Sequence, residues 1–245
     1  MIDWNKYFDH IFVLSRCSNF DRRVKLLAEF ARIGLSNYTI IYQPDSELLD
    51  YDNTTLTKER YRCKYAHYHC CKMSYELGYD NICILEDDMI FLKDINEIEN
   101  QLEIFLRKKN ESDIYMFDYI IVQPFDCLTY YLADFYWLNR KGMQFMIYIS
   151  EHYKNIMNDA IFLDNYKNVN SFIFYYYNNE REMINLPEEE HILPLTINIS
   201  PIRICVQSQI MNKENAYKYN YDLFKNEINN VDKNLYNIYK INKYI

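Results

Sequence analysis

Residues 81–93 read Asn-Ile-Cys-Ile-Leu-Glu-Asp-Asp-Met-Ile-Phe-Leu-Lys, and the reading of the fold turns on them. Ile82, Cys83, Ile84 and Leu85 form a short apolar run, which predicts a buried strand. Glu86, Asp87 and Asp88 follow at once, and the apolar run resumes at Met89. Three adjacent carboxylates repel one another, so holding them at the edge of a core is costly unless a cation offsets the charge. Side chains alternate along an extended segment, so Glu86 and Asp88 are expected to face one way and Asp87 the other. A like-facing pair of carboxylates suits Mn²⁺ or Mg²⁺, which favour oxygen ligands. The carboxyl end of a strand is also where open α/β sheets bind ligands. An acidic loop that merely follows a strand is the alternative, and these residues alone weigh the two equally.

Outward from this stretch, the 245 residues fit one large domain with a short appendage. The boundary is placed at 1–210 for the domain and 211–245 for a helical extension. A chain that is 49% hydrophobic can build a substantial core. The first ten residues lack the basic-then-apolar order of a signal peptide, and no apolar run approaches the ~20 residues of a membrane span. A net charge of −8 argues against a general nucleic-acid binder, which needs a basic face. The seven cysteines include no Cys-x-x-Cys pair, so the expectation is reduced thiols in a cytoplasmic setting rather than a structural zinc site. With glycine only at Gly34, Gly78 and Gly142, no glycine-rich phosphate loop can be written. A bound nucleotide would need its phosphates neutralised by a metal and by Arg or Lys.

Residues 9–15 predict a first strand, buried at 11–14, with Arg16 just past its end. A helix follows with Asp21 as its cap, Val24, Leu27, Ala28 and Ala31 as its buried stripe, and Gly34 as its stop. Arg22 and Arg23 in its first turn oppose the helix dipole by ~0.3–1 kcal/mol each. Either Asp21 and Glu29 compensate them, or one of them reaches an anionic ligand beside Arg16. Residues 38–42 predict a second strand. Residues 58–77 predict a helix with Ala66, Cys70, Met73 and Leu77 buried and His67 beside them. Further helices are expected at 94–107 and 140–150, a strand at 115–122 interrupted by Asp118, and one or two strands within 192–205. Asp159 stands at an expected helix start, where it could be a cap alone. From Tyr217 to Ile238 the apolar positions step by four and three, a heptad seam on a terminal amphipathic helix. Such a seam can pack on its own domain, dimerise, or make peripheral contact with the inner face of a membrane.

Four segments together resemble glycosyltransferase family 25, which includes lipooligosaccharide and procollagen galactosyltransferases. Ile11-Phe-Val-Leu-Ser-Arg16 with Asp21-Arg22-Arg23 looks like the family's opening strand and Arg-containing turn. Ala66-His67 is similar to its Ser-His pair, and Ile84-Leu-Glu-Asp-Asp88 to its Glu-Asp-Asp metal motif. Residues 135–142, Phe-Tyr-Trp-Leu-Asn-Arg-Lys-Gly, resemble its Tyr-x-x-Ser-Arg-x-Gly segment, with Asn139 in place of Ser.

The resemblance implies a GT-A fold: an α/β architecture with a mixed, mostly parallel sheet flanked by helices. It also implies a UDP-sugar donor with Mn²⁺ (or Mg²⁺), a glycan or glycoconjugate acceptor, and inversion at the anomeric carbon. On that reading Glu86, Asp88 and the downstream His191 hold the ion, and Asp87 faces the donor sugar or ribose. Leu14, Ser15, Arg16, Arg22, Arg23 and His67 line the donor site. Asp159, and after it Asp164 and Asp126, is the candidate base that takes the acceptor's proton. A non-catalytic descendant of the fold and a metal-dependent phosphotransferase or hydrolase are the alternatives. Glu86 stands where a phosphotransferase would need a nucleophilic Asp.

Overall fold

The structure is a computed structural model that describes residues 1–43, 49, 54–118, 120–122, 129–131, 134–156, 172–177, 180–185, 195–200 and 204–207. Twelve strands and four α-helices lie among them. The strands are β1 (Ile11–Ser15), β2 (Thr39–Tyr42), β3 (Asn81–Glu86), β4 (Met89–Phe91), β5 (Ile114–Met116), β6 (Ile120–Val122), β7 (Thr129–Tyr131), β8 (Phe135–Asn139), β9 (Phe172–Tyr177), β10 (Glu180–Asn185), β11 (Ile197–Ile199) and β12 (Cys205–Gln207). The helices are α1 (Phe20–Ile33), α2 (Lys58–Glu76), α3 (Ile95–Lys108) and α4 (Arg140–His152).

Six strands form the main sheet in the order β11-β5-β8-β3-β1-β2. β1 runs parallel to β2 and β3, β11 runs parallel to β5, and β8 is antiparallel to both of its neighbours. The expected α/β class with a mixed, mostly parallel sheet flanked by helices is therefore what the chain forms. β4 pairs with β12, β6 with β7 and β9 with β10, each antiparallel.

The strands separate two cores. Phe12 and Leu14 of β1, Ile82 and Ile84 of β3, and Tyr136 and Leu138 of β8 pack with α2 and α4. Ile11 and Val13, Cys83 and Leu85, and Phe135 and Trp137 pack with α1 and α3 on the other face. Apolar side chains are buried on both faces, as the continuous apolar runs of β1 and β3 require. At the middle of the aromatic face Phe8, Phe105, Phe117 and Phe135 meet at centroid distances of 4.9 to 5.7 Å for most pairs.

Local signals account for most helix ends. Thr57 caps α2, and Asp94 caps α3 by accepting from the amides of Asn96 and Glu97. Gly78, just beyond α2, adopts φ 82°, where a side chain would be strained. Asn139 caps α4 by accepting from the Gly142 amide, and Gly142 has no room for a Cβ because the Asp113 carbonyl lies against it.

The buried face of α1 differs from the one expected. Leu26, Phe30 and Ile33 are buried, whereas Val24, Leu27, Ala28 and Ala31 are exposed. The larger side chains decide the rotation, because Phe30 and Ile33 bury more apolar area than two alanines. Asn19 rather than Asp21 occupies the cap position. Leu77, which follows the last residue of α2, is exposed, and Lys64, His67 and Ser74 of the helix are buried instead. No helix among the described residues is long and apolar enough to cross a membrane. The heptad seam at 217–238 and the boundary at 210 lie outside the described residues.

Candidate functional site

β1 and β3 are parallel neighbours with Leu14 opposite Glu86, so their carboxyl ends finish side by side. Beyond β1 the chain turns into α1, which carries Arg22 and Arg23 in its first turn. Beyond β3 it turns at residues 87 and 88 and returns as β4. The three acids stand in the gap between these turns.

Asp87 accepts hydrogen bonds from Ser15 Oγ at 2.6 Å, Asn19 Nδ2 at 3.0 Å and Arg22 Nη1 at 3.4 Å. The same Arg22 nitrogen lies 3.2 Å from Asp88 Oδ2. Both aspartates are buried and Arg22 is about one-third exposed, with 37% of its side chain accessible. One half-open guanidinium therefore offsets about half of the charge of two buried carboxylates. This is why a cation is tolerated at the wrong end of the α1 dipole. The expected compensation by Glu29 does not apply, because Glu29 pairs with Arg32 at 2.8 Å. Arg23 donates to Ser15 Oγ and to the Arg16 and Cys17 carbonyls, and lies over the Tyr42 ring. It holds the β1–α1 loop in shape. Arg16 reaches Gln43 Oε1 at 3.4 Å.

Glu86 points elsewhere. Cys63 and His67 lie one turn apart on α2, and both face Glu86 Oε1, with Sγ at 3.3 Å and Nε2 at 3.4 Å. The other ring nitrogen, His67 Nδ1, is 2.7 Å from Tyr136 Oη on β8. Burial pushes the Glu86 carboxyl up, but the facing His67 and Cys63, with Arg22, outweigh it and hold it below its usual range. On the same helix, burial pushes the Lys64 ammonium down to about 7, and Lys64 donates to the Tyr153 carbonyl.

The acidic stretch is thus divided between the two faces of the sheet. Glu86 continues the Ile82 and Ile84 side, toward α2, while Asp87 and Asp88 meet Arg22 of α1. The expected like-facing Glu86–Asp88 pair does not form, because alternation holds only while the chain is extended and β3 ends at Glu86. Two donor sets result. Asp87 and Asp88 offer hard oxygens at a position that already attracts a cation, which fits Mn²⁺ or Mg²⁺. Glu86 belongs with sulfur and nitrogen, which fit a softer ion.

Of the residues singled out in the sequence, Ser15, Arg22, Arg23, Asp87 and Asp88 join one hydrogen-bonded cluster, with Arg16 beside it. Glu86 and His67 join another. The Leu14 side chain packs in the core against α2 and α4, so only its backbone lies at the strand end. Asp159, Asp164, Asp126 and His191 lie outside the described residues.

Sequence reasoning missed Cys63, Asn19 and Asp134. Cys63 had a signal in its Cys-x-x-x-His spacing on a helix, which places both side chains on one face. Asp118, read only as an interruption, is buried just past β5, and Asp134 is buried just before β8. The Asp134 carbonyl accepts from the Glu86 amide at 2.9 Å, and the Asp118 amide donates to the Phe135 carbonyl at 3.2 Å. Buried acids thus continue from the β3 end to the neighbouring ends of β8 and β5.

No family model and no curated protein sequence matches the chain. Among solved structures, the protein A197 from STIV is similar at 12% identity with a TM-score of 0.34, over 74% of this chain and 94% of its own. A putative glucose-1-phosphate thymidylyltransferase from Bacillus anthracis, in complex with a sucrose, is similar at 13% identity with a TM-score of 0.30. That likeness spans 58% of this chain and 55% of the thymidylyltransferase. Both likenesses are too slight to assign an activity.

Proposed function

We propose that the protein is a metal-dependent inverting glycosyltransferase of the GT-A type, moving a hexose, with galactose favoured, from a UDP-sugar to a hydroxyl of a glycan or glycoconjugate. One observation carries this reading. The carboxyl ends of two adjacent parallel strands bring Ser15, Arg22, Asp87 and Asp88 into a single hydrogen-bonded cluster at one end of the sheet. That end is where α/β sheets bind nucleotides. The family resemblance of the segments around residues 11–23, 66–67, 84–88 and 135–142 supports the same reading.

Residues of this chain divide the work. Asp87 and Asp88 hold the divalent ion, which when bound supplies positive charge to the diphosphate leaving group. Arg16, half-buried beside the cluster, adds positive potential in a chain without a glycine loop. The acceptor oxygen forms the new bond to the anomeric carbon as the bond to the diphosphate breaks, and UDP departs with the electron pair. The acceptor's proton passes to a carboxylate, for which Asp159 and then Asp164 are the candidates.

The test is a panel of UDP-sugars assayed for UDP release with and without Mn²⁺, with analysis of the sugar product. One donor is expected to give Mn²⁺-dependent release and a glycosylated acceptor, and Asp88→Asn is expected to abolish both. Release of free sugar alone would identify a hydrolase. A folded protein that neither binds nor consumes any UDP-sugar would exclude the proposal.

A further inference from the structure

The Cys63–His67–Glu86 group has the makings of a site of its own. The three ligand atoms all lie within 4.8 Å of one another, and no other group of three metal-ligating side chains this close occurs among the described residues. Two of the three edges can be compared with coordination geometry. A tetrahedral zinc with Zn–O and Zn–N of about 2.0 Å and Zn–S of about 2.3 Å has O–N edges of about 3.3 Å and O–S edges of about 3.5 Å. The corresponding separations here are 3.4 Å and 3.3 Å, so one ion fits between them with little movement of the side chains.

The surroundings match as well. A ligating imidazole needs a partner on its other nitrogen to fix the tautomer and the ring plane. Tyr136 Oη stands 2.7 Å from His67 Nδ1, and its ring stacks on the imidazole at 20°. When Nδ1–H donates to Tyr136, the Nε2 lone pair faces Glu86. Two ligands come from successive turns of one helix and the third from the end of a central strand, so the group is held by rigid elements. The Glu86 side chain retains 20% of its exposure, so the group is not sealed from solvent. Three protein ligands is the number in catalytic rather than closed structural zinc sites.

We infer that Cys63, His67 and Glu86 form a binding site for Zn²⁺ or a similar borderline-soft divalent ion, separate from the hard-oxygen position at Asp87 and Asp88. The bland alternative is a hydrogen-bonded trio in which the Cys63 thiol and His67 both donate to Glu86. The inference is independent of the proposed transferase activity, because zinc binding requires neither donor nor acceptor.

Two measurements on the reduced, metal-stripped full chain decide it. Zn²⁺ is titrated in competition with a chromophoric chelator, and Co²⁺ is added to look for the near-ultraviolet thiolate-to-cobalt charge-transfer band. One equivalent of zinc and a thiolate band are expected for the unaltered protein. Cys63→Ser is expected to abolish the band and weaken zinc by at least ~100-fold, more than loss of an outer partner costs. Glu86→Gln is expected to keep the band while weakening zinc, which covers the case in which the cysteine variant folds poorly. Cys17→Ser, which alters an exposed thiol outside the trio, is expected to change neither readout. A band that survives Cys63→Ser, or a zinc affinity unaltered by both Cys63→Ser and Glu86→Gln, would overturn the assignment.

Discussion

Glu86 and Asp88 are two positions apart, yet the fold treats them as different kinds of residue. Asp88 and its neighbour Asp87 are buried against Arg22 of α1, where a full positive charge offsets them. Glu86 is half-buried against a thiol and an imidazole that Tyr136 supports, on the α2 face, with Arg22 acting on it only as a more distant charge. A run of three acids is therefore not one site by virtue of adjacency. A strand end separates its side chains between two faces, and each face supplies its own chemistry. The lesson holds wherever a strand stops inside a motif: alternation predicts facing up to the last extended residue and no further.

The largest effect is expected on the ionic side. Arg22→Ala leaves two buried carboxylates without their cation. Breaking a fully buried pair costs ~3–5 kcal/mol, and the one-third exposure of Arg22 reduces this to roughly 2 kcal/mol. Urea unfolding would measure it, and Asp87→Asn in the same background should recover part of the loss. A loss below ~0.5 kcal/mol would mean that the pairing contributes no more than a surface ion pair does. Arg22→Lys, which keeps the charge but not the planar fork, should fall between the two.

On the other face, Tyr136→Phe removes the hydroxyl partner of His67 Nδ1. Zinc affinity should drop by ~10–100-fold while the thiolate-to-cobalt band is retained, since the three ligands remain. Donor binding should not change. If Tyr136→Phe alters UDP-sugar affinity as strongly as zinc affinity, the two faces are coupled and the division fails.

Arg16→Ala comes next in size. Arg16 borders the cluster and reaches Gln43, so its loss should raise the donor KM by ~10-fold, the scale of one charge-assisted hydrogen bond, and leave zinc affinity unaltered. An unchanged KM would make Arg16 a bystander. The smallest effect is expected from Cys63→Ser on folding. The hydroxyl can still donate to Glu86, so thermal stability should shift by less than the equivalent of ~1 kcal/mol even as zinc binding is lost.

Much of this framework was legible in the residues. The apolar runs at 11–14 and 82–85 and the glycine beyond α2 act locally, and local signals survive folding. The acid-rich strand end was legible for the same reason. What escaped was decided at a distance. The buried face of α1 follows from the bulk of Phe30 and Ile33 against the aromatic core, which periodicity alone does not weigh. The central antiparallel strand β8 was seen only as a segment of the family resemblance, although its apolar run at 135–138 is of the same kind as those of β1 and β3. Arg22 finds its aspartates 65 and 66 residues away, and Cys63 finds Glu86 across 23, pairings that no local pattern announces.

On this reading one acidic run serves two sites. Calorimetry of the full chain with Mn²⁺–UDP and, separately, with Zn²⁺ tests it through two conservative variants, Asp88→Asn and Glu86→Gln. The expected result is crossed: Asp88→Asn loses Mn²⁺–UDP binding and keeps zinc, whereas Glu86→Gln weakens zinc and keeps Mn²⁺–UDP within about threefold, a change of under ~1 kcal/mol. Folded variants that each lose both ligands together would contradict it, and would return Glu86 and Asp88 to a single metal centre.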